Sequence, residues 1–478
     1  MAIVEHVSRH LCSPFGGLGE EDGEVGSYLM MSLVLGILVV PIVVFGQRPE
    51  SDIQAVDIVN GINISVRILA AVTAIYALVS IGHNARTWIS ERSSNIIVKT
   101  KLVFLWIFGF AKIIFTLIYG SFYLKCSNLI SFELTDVLAI EHITSIIFVI
   151  LQLVFFQYVG RYTFTARPII KYVASIIAMA NFVDLLVFMT FSVNGNKDII
   201  FDENNTATVN CTGYSQTTVN NLIFITRSFR PPVNLQYSAL AITLALSMKP
   251  DTEKLFSRWN MLGLQFFWRS PKRLAKVITV VVLMNVPLLI CVPFNVYLQT
   301  RTQSRIWLSL MLAQKIAVFG CLLSTNYFMF KKLKLSVKNI SINANEFMLL
   351  FSAMGVSAYV SIQMFLQEEV DGVLTSLIII SVFSILYQVT IILFGRRVDL
   401  VGNEISTIHA IQQLVVILGC NNMAVWFNDF LYGIWDMSND RILKETVFKY
   451  IALMLYPLLA YYRFQSAMEF MELFRHVS

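Results

Sequence analysis

Runs of about 20 apolar residues recur along the whole chain and constrain its fold more than any other feature. A helix of that length crosses the hydrocarbon core of a bilayer. Only 14% of the 478 residues are charged and 56% are hydrophobic, whereas about 25% of the residues in a soluble domain are charged. We therefore exclude a soluble enzyme, a nucleic-acid-binding protein and a disordered chain.

Twelve candidate spans are expected to be helical, because a backbone in lipid must satisfy its hydrogen bonds within its own segment. Their approximate limits are 28–47, 61–82, 102–123, 138–160, 168–193, 221–247, 276–298, 306–329, 345–364, 374–394, 407–427 and 450–474. The chain is therefore predicted to be an all-α polytopic membrane protein with 12 transmembrane helices. No nucleotide-binding loop interrupts the spans, so we expect neither a cofactor nor coupling to ATP.

Lys and Arg residues are concentrated in alternate loops, which sets the expected orientation. If the N-terminus is cytosolic, about 20 of them lie on the cytosolic side and about 10 lie outside. Both termini are therefore predicted to be cytosolic. The largest basic cluster lies in segment 249–275, which we interpret as a linker along the inner leaflet, with an interfacial helix as the alternative.

Two features of the predicted outer loops agree with this orientation. Asn204 and Asn210 begin glycosylation sequons in the loop after span five. Cys126 and Cys211 also fall in predicted outer loops, where oxidation is possible. A disulfide between them would join two outer connections, and two free thiols are the alternative.

Similar motifs recur six spans apart and in the same order. They are a Gln in spans four and ten, an Asn in spans five and eleven, and a Pro five residues before a Tyr in spans six and twelve: Gln152 and Gln388, Asn181 and Asn422, Pro232 with Tyr237, and Pro457 with Tyr462. These matches predict two pseudo-repeated six-helix halves, 28–248 and 276–478, after a cytosolic N-terminal segment, 1–27. Because six is an even number, the halves would share one orientation in the membrane.

An ionisable residue inside a span costs about 2.5 to 3.5 kcal/mol to insert, so it normally faces a cavity or a partner. Eight such residues are candidates here. They are Arg67, Lys112, Glu141, His142, Asp184, Lys315, Arg463 and Glu469. For Arg67 and Glu469, near span ends, pairing or snorkelling to the interface is the simplest interpretation. Lys112 and Lys315 are interpreted as paired structural lysines, or else as gate charges that hold a carboxylate such as Asp184.

Asp184 lies deep in span five, with no Lys or Arg one helical turn away on its own helix. Because an unpaired carboxyl there would tend to be protonated, Asp184 is interpreted either as a proton-relay group or as a hydrogen-bonded Asp buried for packing. Glu141 and His142 begin span four at its outer end. A histidine titrates at about pH 6.5, so this pair is a candidate sensor of external acid, and simple solvation is the alternative. No His and Cys cluster has metal-ligand spacing, and no metal is expected.

Two neutral sets, each of two amides and a phenol, occupy spans four to six and spans ten to twelve. They are Gln152, Asn181 and Tyr237, and Gln388, Asn422 and Tyr462. Such groups hydrogen-bond between helices, at about 0.6 kcal/mol each. Alternatively, they form polar constrictions in which ordered water carries protons.

The same motifs resemble those of the otopetrin family of proton channels. The segments that carry the resemblance are 456–466 (YPLLAYYRFQS), 420–426 (CNNMAVW), 232–238 (PVNLQYS) and 151–153 (LQL). The resemblance implies two six-helix halves, a homodimer, proton conduction opened by external acid, and permeation paths lined by the two neutral sets. Gln236 and Gln465 stand where the family has a Glu and a His. We therefore expect a different pH sensitivity or rate, with Asp184 as a candidate replacement for the missing acid.

Together these features predict a proton-selective channel of the plasma membrane that is opened or modulated by extracellular acid. Its expected partners are protons, membrane lipid (sterol included) and a second copy of the chain, and no nucleic acid. Asp184 is the expected proton relay, the neutral sets shape the constrictions, and Arg463 fixes the local potential. A proton-coupled secondary transporter is the main alternative, and a chemoreceptor or structural membrane protein is a further one.

Overall fold

The computed structural model describes 14 segments of the chain: 20–46, 53–83, 89–92, 96–126, 132–160, 162–164, 168–193, 230–246, 275–287, 301–332, 344–365, 372–395, 405–439 and 446–477. Twelve helices lie in these segments. They are α1 Glu20–Gly46, α2 Ile53–His83, α3 Ile96–Cys126, α4 Phe132–Val159, α5 Pro168–Val193, α6 Arg230–Leu246, α7 Ala275–Pro287, α8 Arg301–Tyr327, α9 Ala344–Phe365, α10 Gly372–Gly395, α11 Ile405–Asn439 and α12 Thr446–Val477. A π-helical turn, Phe328–Lys332, continues α8. Each predicted span overlaps one of these helices, so the helical architecture is confirmed.

Seven of the described helices are long and apolar enough to cross a membrane, namely α2, α3, α4, α5, α8, α10 and α11. Shorter apolar stretches lie in α1, α6, α7 and α9. The protein is therefore a multi-pass helical membrane protein, and the count of 12 spans stays a prediction.

One short antiparallel pair of strands was not predicted from the sequence. Strand β1, Ile89–Arg92, follows α2, and strand β2, Tyr162–Phe164, follows α4. Ile89 pairs with Phe164 and Arg92 pairs with Tyr162, with an irregularity between Ile89 and Glu91. The pairing joins two connections that the charge distribution assigns to the same side of the membrane.

The chain divides into two compact units, Met1–Thr252 and Glu253–Ser478. The boundary falls within the predicted basic linker, and residues 1–19 and 247–274 lie outside the described residues. The predicted domain limits therefore stay a prediction.

In the first unit, α2 packs against α4 and α5, α3 packs against α4 and α6, and α5 packs against α1 and α6. Large aliphatic side chains such as Ile37, Val79 and Ile107 are exposed on the outside of these helices. Small or aromatic side chains such as Ala180 and Phe155 are buried inside. This distribution suits a lipid solvent, because apolar groups face the hydrocarbon and polar groups face protein.

In the second unit, α8 packs against α10 and α11, α9 packs against α10 and α12, and α11 packs against α12. Its core contains Leu322, Val356, Ile385, Val415 and Phe470, among other buried apolar residues. The helix α12 is central in this unit, because every residue from 461 to 470 is buried. In the first unit, α6 has a similar place, with only Ala239 partly exposed between Leu235 and Ala245.

Close packing of α9 against α12 gives the first testable prediction. A Cβ atom at Gly355 would overlap the side chain of Leu458 and lie 3.0 Å from its Cβ atom. Because overpacking costs about 1–3 kcal/mol, Gly355→Leu should lower the thermal unfolding midpoint of the purified protein in detergent. A Cβ at Gly320 meets no atom within 4 Å, so Gly320→Leu is the matched control and should not lower it. Equal midpoints for the two variants would contradict this packing.

Candidate functional site

Three charged side chains from three helices meet in the interior of the first unit. Arg67 of α2 and Lys112 of α3 are each 4% exposed, and Asp184 of α5 is 7% exposed. Arg67 Nη2 donates to Asp184 Oδ1, and Lys112 Nζ donates to Asp184 Oδ2. Each oxygen of the carboxylate therefore has its own cation, which favours its charged form.

Arg67 also extends this ion pair to α4. Its Nη1 atom donates to Glu141 Oε1 at 2.7 Å and to the Glu141 carbonyl oxygen at 3.2 Å. A guanidinium can do this because its five N–H groups form a planar fork, so one side chain can serve two carboxylates. Glu141 Oε2 lies 3.1 Å from His142 Nδ1. While His142 is neutral, two cations balance two carboxylates.

On the other side of Asp184, Lys112 connects the ion pairs to a neutral pair. Lys112 Nζ lies 4.9 Å from the centre of the Tyr237 ring, within the range of a cation–π interaction. The Tyr237 hydroxyl donates to Gln152 Oε1 at 2.8 Å. Tyr237 is fully buried and Gln152 is 1% exposed.

We call these seven connected residues the polar chain: His142, Glu141, Arg67, Asp184, Lys112, Tyr237 and Gln152. Along α4, Glu141 and Gln152 are separated by about 16 Å of helix rise, roughly half of a hydrocarbon core about 30 Å thick. Past Gln152, most of the buried side chains on α4 and on the facing part of α3 are apolar. Leu102, Leu105, Phe108, Phe155 and Phe156 are all buried there.

The second neutral set is joined by hydrogen bonds in the second unit. Asn422 Nδ2 donates to Gln388 Oε1 at 3.0 Å, and the Tyr462 hydroxyl contacts the same oxygen at 3.3 Å. The guanidinium carbon of Arg463 lies 5.7 Å from the centre of the Tyr462 ring. All three helices of the predicted set therefore meet at Gln388.

The first neutral set is joined only in part. Tyr237 contacts Gln152 as the predicted set implies, but Asn181 Nδ2 donates to the Ile177 carbonyl of its own helix at 2.8 Å. Among the described residues, no hydrogen bond joins Asn181 to Gln152 or to Tyr237. Asp184, one turn further along α5, makes the contacts to neighbouring helices instead.

Asp184 is paired with two cations, whereas the sequence suggested an unpaired carboxyl. Its interpretation as a freely titrating carboxyl depended on the lack of a basic neighbour on its own helix. The structure provides two cations from other helices, which agrees with the alternative that Lys112 holds Asp184. The sequence did contain a signal for this pairing, because a Lys and an Asp both lie in the middle of predicted spans.

Two further polar clusters in the second unit were missed by sequence reasoning. Gln314 Nε2 donates to Asn285 Oδ1 at 3.4 Å and to Asn421 Oδ1 at 3.3 Å, and so joins α7, α8 and α11. Gln465 Nε2 donates to Glu469 Oε1 at 2.6 Å. Glu469 is 1% exposed, so it is held inside the protein and does not snorkel to the interface.

The remaining predicted sites fall largely beyond the described part of the chain. Cys211, Asn204 and Asn210 lie outside the described residues, as does the side chain of Cys126. Within the described residues, no group of three His, Cys, Asp or Glu could hold a metal ion. Cys321 and Cys420 are free cysteines.

Removing one charge from the ion pairs should destabilise the fold more than removing a balanced pair. Asp184→Asn leaves Lys112 buried without a counter-ion, which costs about 3–5 kcal/mol. In the double variant Asp184→Asn/Lys112→Met, the uncompensated ammonium is gone, so the loss should be smaller than the sum of the two single losses. Thermal unfolding midpoints of the single and double variants in detergent measure this coupling. Additive losses would show that the two residues do not interact.

Comparison with known proteins adds no family, because the chain matches no protein-family model and no curated protein matches it. The functional conclusion therefore depends on the polar chain and its surroundings.

Proposed function

We propose that the protein is a proton-selective channel of the plasma membrane, opened or modulated by extracellular acid. The observation that supports this most is the polar chain, an unbroken series of contacts from His142 to Gln152 through the interior of the first unit. An ionisable group in a membrane interior is costly and commonly marks an ion or proton path.

The chemistry of the polar chain suits a proton better than a metal cation. A proton passes between hydrogen-bond donors, acceptors and ordered water, and every residue of the polar chain carries a donor or an acceptor. A metal cation needs a ring of oxygen ligands that replaces its hydration shell. Here both oxygens of Asp184 and Oε1 of Glu141 already accept from Arg67 and Lys112. Glu141 Oε2 lies against His142, so these oxygens do not form such a ring.

In this proposal, His142 is the group that senses external acid. When His142 gains a proton, its Nδ1–H can donate to Glu141 Oε2, and its charge attracts the same carboxylate that Arg67 holds. The balanced set of two cations and two carboxylates then carries one excess positive charge. Competition for Glu141 weakens the hold of Arg67 on α4, which links external pH to the contacts of α2, α4 and α5.

We also propose that the two units are pseudo-repeated halves. Five helix pairs of the first unit recur six helices later in the second unit, which supports this duplication: α2–α4, α2–α5, α3–α4, α3–α6 and α5–α6. The halves differ in charge, because Val425 stands three residues after Asn422 where Asp184 follows Asn181. The resemblance to otopetrins further implies a homodimer with cytosolic termini and contacts to membrane lipid, with Arg463 fixing the potential near the second neutral set.

A step to external acid in whole-cell recording tests the function directly. Expressing cells should pass an inward current whose reversal potential moves by about 59 mV per unit of pH difference, as expected for a single transported charge. Surface biotinylation and untransfected cells provide the controls. Absence of acid-evoked current despite surface protein would refute the channel, and a current that needs an added solute would instead indicate a proton-coupled transporter.

His142 should set the external pH at which the current appears. His142→Gln removes the imidazole beside Glu141 Oε2, and the carboxylates that remain in the polar chain are held by Arg67 and Lys112. Half-maximal activation should therefore move to a lower external pH than in the wild type. His409 hydrogen-bonds to Gln412 in the second unit, so His409→Gln is a matched control that should leave activation unchanged. Identical activation curves for both variants would exclude His142 as the sensor.

A further inference from the structure

The ammonium group of Lys112 lies at the point where the charged part of the polar chain meets its neutral part. It donates to Asp184 on one side and faces the Tyr237 ring on the other. Its side chain is 5% exposed. Any proton that moves along the polar chain from His142 to Gln152 has to pass this group.

We propose that Lys112 is the group that takes up and releases the transported proton, and that Arg67 is a fixed charge that keeps Asp184 in place. This role for Lys112 rests on the proposed channel function. The two cations that share one carboxylate then have different tasks, which explains why both are present.

Arg67 cannot be the exchanging group. A guanidinium stays protonated at any pH that a protein meets, whereas an ammonium can lose its proton when it is buried. Asp184 is not free to exchange either, because each of its oxygens accepts from a cation. Tyr237 is a neutral phenol, and phenols ionise only at about pH 10.

The charged groups around Lys112 come from three other helices. Arg67 comes from α2, Asp184 from α5, and Glu141 with His142 from α4, while α6 contributes the neutral Tyr237. When Lys112 becomes neutral, Asp184 and Glu141 both keep Arg67 as a counter-ion. Each carboxylate keeps a hydrogen bond from Arg67, and these groups carry one excess negative charge until the amine is protonated again.

The transfer itself is a simple proton exchange with water. An N–H bond of the ammonium breaks toward a water molecule beside Tyr237 and Gln152, the electron pair stays on Nζ, and a hydronium ion forms. The amine then takes a proton from a hydronium ion on the side of His142 and Glu141. One N–H bond has been broken and one has formed, and one proton has moved past Lys112.

The second unit lacks this arrangement within its described residues. Helix α9, which packs in its unit as α3 packs in the first, carries no Lys or Arg from Ala344 to Phe365. Val425 replaces the carboxyl at the position that matches Asp184. The pair formed by Lys112 and Asp184 therefore has no counterpart on α9 and α11.

Two substitutions of Lys112 separate proton exchange from a structural role. Lys112→Arg keeps the positive charge and the ion pair with Asp184 but cannot release a proton, so the acid-evoked current should fall at least tenfold while the thermal midpoint stays close to that of the wild type. Lys112→Gln removes both functions, so current and midpoint should both fall. Lys315→Arg, a mid-span lysine of the second unit, is the matched control and should conduct normally.

Proton flux into liposomes that contain the purified variants and an internal pH dye makes the result independent of delivery to the cell surface. Wild-type current or flux in Lys112→Arg or in Lys112→Gln would overturn the role of Lys112 and leave the channel intact. Absence of flux in the wild type would instead overturn the channel function. Loss in Lys112→Arg with a preserved midpoint, beside a normal Lys315→Arg, is the result that supports the inference.

Discussion

The arrangement of the first unit depends on one carboxylate, Asp184, held between two buried cations. Charge in a membrane interior is tolerated only where it is paired inside protein, so this group requires α2 and α3 to approach α5. Arg67 then brings in α4 through Glu141. A single electrostatic requirement therefore positions four helices around one point. The exposed faces of those helices are left to apolar side chains such as Ile107 and Ile143.

Helix propensity and span length could be predicted from the sequence, because both are local properties of a chain in lipid. The partners of Asp184 could not be predicted in this way, because Arg67 and Lys112 come from other helices. Periodicity along α5 reveals only neighbours on the same helix. The Gln152–Tyr237 contact was within reach because the motif is repeated as Gln388 and Tyr462. The β1–β2 pair could not be predicted, because a strand of three or four residues leaves no periodic signal. Its formation also depends on two loops that meet.

Enclosure by protein explains why the second half of α12 can carry polar and charged residues. Its residues 461–470 are enclosed by protein, and a helix enclosed in this way has no lipid-facing stripe to keep apolar. Arg463, Gln465 and Glu469 are therefore tolerated on it. Its counterpart α6 is similarly enclosed and carries Gln236 and Tyr237. The two central helices are thus where polar side chains of each unit can collect, and the phenol of each neutral set lies on one of them.

The polar chain ends at Gln152, and the apolar side chains that follow it suggest how such a channel would open. Between Gln152 and Val159 the helix α4 rises by about 10 Å, and Leu153, Phe155 and Phe156 are buried along it. These side chains have no group that can accept or donate a proton. In the proposed channel, a proton that reached Gln152 would therefore need water to pass these three side chains. Apolar constrictions in channels open and close by wetting and drying. The charged end of the polar chain would then supply and sense protons, while hydration beside Phe155 and Phe156 would control whether they cross.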